Sequence, residues 1–125
     1  MKKLSALLLL LALLLAGCGA AGQQTPPGPE AYVGRYADEA FNEVVIEERD
    51  GAVTMTVGLY RLTTLEEGTL SAAPEGLLFR TTDAAGNPMT LSFRRLDDGS
   101  FLLRAEESSW PYLEPGTSFV LTKRS

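Results

Sequence analysis

The chain has 125 residues, with 11 basic and 16 acidic side chains, one cysteine and no histidine. That length fits one domain. The missing histidine removes the commonest general base, the Ser–His nucleophile pairing and the usual zinc ligand, and the acidic balance disfavours nucleic acid as a partner.

Met1-Lys2-Lys3 is a short cationic start, and Leu4 to Ala16 is leucine and alanine with Ser5 the one polar exception. This run of about 13 residues suits the apolar region of a secretory signal and falls short of the roughly 20 that a spanning helix needs. It ends in Leu15-Ala16-Gly17-Cys18, which resembles the lipobox of bacterial lipoproteins. The resemblance implies diacylglyceryl attachment to the Cys18 thiol, cleavage between Gly17 and Cys18, and acylation of the new amino terminus. The partner of this segment would then be membrane lipid. One acyl chain anchors marginally, at about 0.8 kcal/mol per buried methylene, and two or more anchor stably. An ordinary free cysteine beside a general signal cleavage site is the alternative.

The expected organisation is a cleaved signal over 1–17, a lipidated cysteine and tether over 18–30, and a β domain over 31–125. Gly19 to Pro29 carries no charge and no large apolar residue, so it cannot repay its ordering entropy by burial. Pro26, Pro27 and Pro29 bias it toward extended geometry, with a reach on the order of 30 Å. Gly19, not aspartate, follows the cysteine, so the usual inner-membrane retention signal of such lipoproteins is missing. The expected location is the cell membrane or the outer membrane, lipid-anchored and exported. Removing Lys2 and Lys3 with the signal leaves nine basic residues against 16 acidic ones, a net charge of −7.

From Ala31 the apolar residues recur with period 2. Val53, Met55, Val57 and Leu59 alternate with Thr54, Thr56, Gly58 and Tyr60; Met89, Leu91 and Phe93 alternate with Thr90, Ser92 and Arg94. Phe101, Leu103 and Ala105, then Phe119 and Leu121, continue the pattern. Turn residues punctuate it: Asp50-Gly51, Glu66-Glu67-Gly68, Gly86-Asn87-Pro88, Asp98-Gly99 and Pro115-Gly116. The predicted strands are 32–36, 43–49, 52–61, 69–73, 77–82, 88–96, 100–106 and 117–124. At most single helical turns are expected at Ala37 to Phe41 and Ser108 to Leu113.

About eight short antiparallel strands with short connections make an all-β up-and-down meander. Closure into a barrel is favoured over an open two-sheet sandwich, because closure removes exposed edges. The opening Gly34-Arg35-Tyr36 is similar to the Gly-X-Trp start of lipocalin-like (calycin) barrels, and small lipocalin-like lipoproteins of bacteria are near this length. That resemblance implies a barrel with Arg124 stacked near the first aromatic, and it implies no ligand. The large apolar residues predict a filled interior.

No phosphate-binding glycine motif and no EF-hand spacing is present, so no cofactor or metal is expected. Asp38/Glu39, Glu47/Glu48, Glu66/Glu67, Asp97/Asp98 and Glu106/Glu107 are carboxylate pairs. Those on strands point to opposite faces and those in turns are solvated, so no catalytic residue is assigned and the domain is read as non-enzymatic. The candidate interaction surface is Trp110 and Tyr112, in the connection before the last strand, with Tyr60 and Arg61 on the polar face of the third. Aromatic residues and arginine favour binding hot spots. The alternative for Trp110 and Tyr112 is an end plug on the core, and for Tyr60 and Arg61 cross-strand pairing with Thr90 or Arg94. The expected role is a membrane-tethered binding module for an envelope protein or polymer. An envelope hydrolase using a carboxylate pair, or a spacer without ligand, is the alternative.

Overall fold

A computed structural model describes residues 26–125; Gly17, Cys18 and most of the expected tether lie outside the described residues. Nine strands form: β1 Gly34–Ala37, β2 Glu43–Arg49, β3 Ala52–Leu59, β4 Thr63–Leu65, β5 Thr69–Ala73, β6 Gly76–Thr82, β7 Pro88–Arg95, β8 Phe101–Glu107 and β9 Ser118–Lys123. A single 3-10 turn, Pro29–Tyr32, precedes them. All belong to one antiparallel sheet, ordered β4-β3-β2-β1-β9-β8-β7-β6-β5.

The all-β meander is therefore present, but the sheet is not closed. β4 pairs with β3 and β5 with β6, and no ladder joins β4 to β5. The chain bends there at Glu66-Glu67-Gly68, where the Gly68 N–H reaches the Glu66 carbonyl at 3.1 Å. Following the antiparallel pairs around the sheet shows that β4 and β5 run in the same sense. They are two halves of one bent strand, a sheet corner of the kind that switches strands between ladders. Eight expected strands became nine at that corner. Gly68 sits at the bend because a side chain there would meet the Phe79 ring and the Arg80 carbonyl.

At the opposite side the first and last strands are joined. Tyr36 lies across from Lys123 and Ala37 from Thr122, while Arg35 N–H donates to the Ser125 carbonyl at 3.1 Å and Arg124 N–H to the Arg35 carbonyl at 2.7 Å. The result is a curled, barrel-like sheet with one seam open.

Period-2 alternation fills its interior. Val44, Ile46, Met55, Val57, Leu59 and Leu103 are fully buried, as are Leu77, Phe79, Leu91, Phe93 and Leu121. Val53 and Phe119, also expected inside, are only partly buried. Tyr36 joins the core, T-shaped against Phe93 at 4.9 Å and Phe101 at 4.6 Å, and donates its hydroxyl to the Tyr32 carbonyl. Burial pushes the Tyr36 hydroxyl pKa up, with Tyr32 adding to it. Arg124, expected to stack near this ring, is exposed and meets β1 through its backbone.

Because the strands alternate in sense, their connections fall at two ends. Residues 38–42, 60–62, 83–87 and 108–117 share one, termed here the loop end. Asp50-Gly51, the β5–β6 turn and the β7–β8 turn share the other, the stem end. The chain enters at the stem end, where Tyr32 and Ala31 share a cleft with Tyr36, Arg95 and Gly99.

Two tests probe this frame. A Cβ on Gly76 would collide with the Phe93 carbonyl oxygen, whereas one on Gly58 meets nothing within 4 Å. Gly76→Ala should destabilise by about 1–3 kcal/mol through overpacking, while Gly58→Ala should be neutral or stabilising by up to about 1 kcal/mol; urea unfolding compares them. The second test concerns the β7–β8 turn. The Asp98 carboxylate accepts the Ser100 hydroxyl and N–H, and the hydroxyl bond first, then the N–H, holds its pKa below the ordinary 3.8. A carboxyl whose folded pKa is lowered contributes stability above the unfolded value and loses it as pH falls through the folded one. Asp98→Asn should therefore flatten the loss of stability below pH 3.8, read from Tm against pH.

Candidate functional site

The loop end is built from turns of known chemistry carrying unexpected residues. Asp83-Ala84-Ala85-Gly86-Asn87 links β6 to β7. Asp83 N–H donates to the Asn87 carbonyl at 2.9 Å, and Asp83 Oδ1 accepts the Ala85 and Asn87 N–H groups, each at 2.9 Å. Gly86 takes the left-handed conformation, φ 84°. Asp38-Glu39-Ala40-Phe41-Asn42 links β1 to β2 through the same bonds: Asp38 N–H to the Asn42 carbonyl at 3.1 Å, and Asp38 Oδ1 accepting from Ala40 and Asn42 N–H, each at 2.9 Å. Here the position equivalent to Gly86 is Phe41, at φ 65°.

The β3–β4 turn repeats the substitution. At the stem end, the β2–β3 hairpin turns on Asp50-Gly51, with φ 52° and 81°, the residues such a turn favours. At the loop end Tyr60 and Arg61 hold φ 55° and 58°, closed by Leu62 N–H to the Leu59 carbonyl at 2.8 Å. β3 thus stops at Leu59, and Tyr60 and Arg61 are turn residues, not members of its polar face. Buried Asn42 fixes this geometry. Its Oδ1 accepts the Tyr60 N–H at 2.9 Å and its Nδ2 donates to Asp38 Oδ2 at 2.9 Å, so one side chain ties both turns.

The side chains presented form an aromatic and cationic platform. The Arg61 guanidinium lies 3.4 Å from the centre of the Phe41 ring, and the Tyr60 ring meets Phe119 edge-on at 5.6 Å. These contacts are not the cross-strand pairing with Thr90 or Arg94 that was the alternative reading. Phe41 is 59% exposed and Leu62 62%. Both were absent from the sequence expectation, though the matched Asp-x-Ala-Phe-Asn and Asp-Ala-Ala-Gly-Asn segments carry the signal for Phe41.

The Ser108–Leu113 segment divides its roles. Leu113 is fully buried and Trp110 packs on the core, with its N–H on the Ser108 hydroxyl at 3.1 Å; this is the end plug. Tyr112 stands 65% exposed, T-shaped to Trp110 at 5.4 Å. A small cavity of about 80 Å³ between Leu62 and Trp110, floored by Leu65 and Met89, joins the plug to the platform. The four sequence candidates, Trp110, Tyr112, Tyr60 and Arg61, therefore lie at one end.

Most carboxylates are dispersed, but a register shift at Thr90/Leu91 makes Glu106 a bulge and turns it with Glu107 to one outer face, so this pair does not point to opposite faces as expected. Asp38 and Asp98 hold turns, Glu106 accepts the Ser92 hydroxyl at 2.7 Å, and Glu47 pairs with Arg49 at 2.6 Å. Glu66, Glu67 and Asp83 border a slot of about 290 Å³ at the open corner. Among the described residues no group of three His, Cys, Asp or Glu side chains could hold a metal.

A non-glycine residue in the left-handed region costs about 1 kcal/mol, and an exposed cation–π contact returns about 0.5–1 kcal/mol. Phe41→Gly should leave unfolding stability unchanged or raise it by up to about 1 kcal/mol, measured by urea titration; a marked loss would mean that Phe41 is a packing residue. No protein-family model matches this chain, and no curated protein or solved structure is significantly similar to it.

Proposed function

We propose that the chain is an envelope lipoprotein, anchored to membrane lipid through acylated Cys18, whose domain acts without chemistry as a binding module for an envelope protein or polymer. The observation that carries this reading is the backbone of the loop end. Phe41, Tyr60 and Arg61 occupy positive-φ positions where the equivalent turns use glycine or aspartate–glycine. Residues kept in unfavourable backbone regions point to function when their side chains do not serve the core, and Phe41 is largely solvent-exposed. Aromatic residues and arginine are the types that concentrate binding energy.

The placement supports the same reading. The described chain enters at the stem end, so the platform lies at the end of the domain farther from the tether to Cys18. The filled interior argues for binding at the surface over a ligand held inside. A lipocalin-like origin is supported by Gly34-Arg35-Tyr36 opening β1 and by β9 returning beside it. An envelope hydrolase working with a carboxylate pair, or a spacer without ligand, leaves the backbone cost at Phe41, Tyr60 and Arg61 unexplained.

The test is site-specific photocrosslinking in the producing cells, with a benzophenone amino acid at position 112 and, as control, at position 97 in the stem-end turn. A discrete adduct from 112, absent from 97 and reduced by Arg61→Ala, is expected. Equal adducts from both positions, or none from 112, would overturn the binding reading. In the same cells the full chain should incorporate a labelled fatty acid, and Cys18→Ala should not; label retained in Cys18→Ala would overturn the anchor.

A further inference from the structure

Two leucines interrupt the alternation of the sheet. In Leu77-Leu78-Phe79 and Phe101-Leu102-Leu103 the flanking residues are buried, so the middle leucine must point outward. The register brings the two into one field. Leu78 lies opposite Ser92 and Ser92 opposite Arg104; Leu102 lies opposite Arg94 on one side and Val120 on the other. Leu78 and Leu102 are half-buried, and Val120 is 54% exposed.

Leu78, Ser92, Arg94, Leu102 and Arg104 floor a cleft of about 760 Å³ on the outside of the sheet, walled by the Ala73–Gly76 turn. The volume is within the range of about 300–1,000 Å³ typical of small-molecule sites. Crossing β6 to β9 covers three strand spacings, on the order of 14 Å, an elongated floor. None of Phe41, Tyr60, Arg61, Trp110 or Tyr112 contributes to it, so the cleft is separate from the loop end.

Its charges are unequal in availability. Arg104 is paired with Glu106 at 3.5 Å, and Glu106 also accepts the Ser92 hydroxyl at 2.7 Å. Arg94 has no ion pair among the described residues. Glu75 stands on the turn that forms the wall. In a chain of net charge −5, a spare guanidinium beside two outward leucines selects an anion with an apolar body. The planar guanidinium fork matches a carboxylate in two-point geometry.

We propose that this outer cleft binds a single-tailed carboxylate amphiphile of the fatty-acid class, its head on Arg94 beside Arg104 and its tail along Leu78 and Leu102. The proposal does not depend on the binding role assigned to the loop end.

The experiment uses the full chain in zwitterionic bilayer nanodiscs and a dodecanoate photoprobe with a diazirine near its tail, adducts being located by peptide mass spectrometry. Adducts are expected on Leu78 and Leu102 and their strand neighbours. Dodecanoate should compete at least about tenfold better than dodecanol, and Arg94→Gln should weaken labelling by about tenfold, the scale of one charge-assisted hydrogen bond. Arg94 is on the outer face, and circular dichroism checks that the variant folds. Adducts confined to other strands, dodecanol competing equally, or labelling unchanged in Arg94→Gln would each overturn the proposal. So would a cleft that takes no photoprobe because a second copy or a peptide covers it.

Discussion

Two short strands from opposite ends of the domain, β1 and β9, meet at Tyr36–Lys123 and Ala37–Thr122, and the rest of the sheet depends on that seam. Without it the structure would be two separate meanders, β1–β4 and β5–β9, each with one apolar face bared to water. The seam is short in hydrogen bonds, so side chains must reinforce it. Tyr36 does so from β1: its ring is enclosed by Phe93 and Phe101, which themselves stack at 5.3 Å. Aromatic pairs of this kind add about 0.5–1.5 kcal/mol beyond their buried area. The Tyr36 hydroxyl on the Tyr32 carbonyl extends the same cluster to the 3-10 turn and fixes where the chain enters.

That seam also decides where the openness falls. A sheet that closes at β1–β9 and has a bent strand opposite must leave its unpaired edges at the bend, between β4 and β5. Both edge strands are short, which limits their value as templates for aggregation. The sheet therefore keeps a filled core while one corner stays without a backbone ladder.

With the core secured, the domain tolerates large side chains in left-handed turn positions at the loop end. Stem-end turns use Asp50, Gly51 and Gly99 where φ is positive; loop-end turns use Gly86 and Gly116 but also Phe41, Tyr60 and Arg61. Asn42, buried and bonded to both loop-end turns, holds this arrangement in place. Phe41, Tyr60 and Arg61 lie at the end opposite the chain entry, which is what the proposed binding role rests on. The outer cleft of β6–β9 is a different kind of feature, made by side chains on the strands and at the β7–β8 register shift rather than by left-handed turn residues.

The period-2 pattern and the Asp-Gly turns determined the all-β class, most strand positions and most of the core, because alternation is a local property that any half-buried strand must show. The signal and Cys18 readings, and most of the tether over 18–30, fall on residues 1–25, outside the described structure, and remain expectations read from sequence. β4 was hidden because Thr63–Leu65 is too short to show a period, and the open corner because closure depends on whether two distant edges meet. Tyr60 and Arg61 continued the alternation of β3 in sequence; only the reach of Asn42 from another turn ended the strand at Leu59 and made them a turn. Phe41 and the Leu78–Leu102 field likewise needed the tertiary structure, since a turn's neighbours and a strand's register partners are set by contacts between segments far apart in the chain.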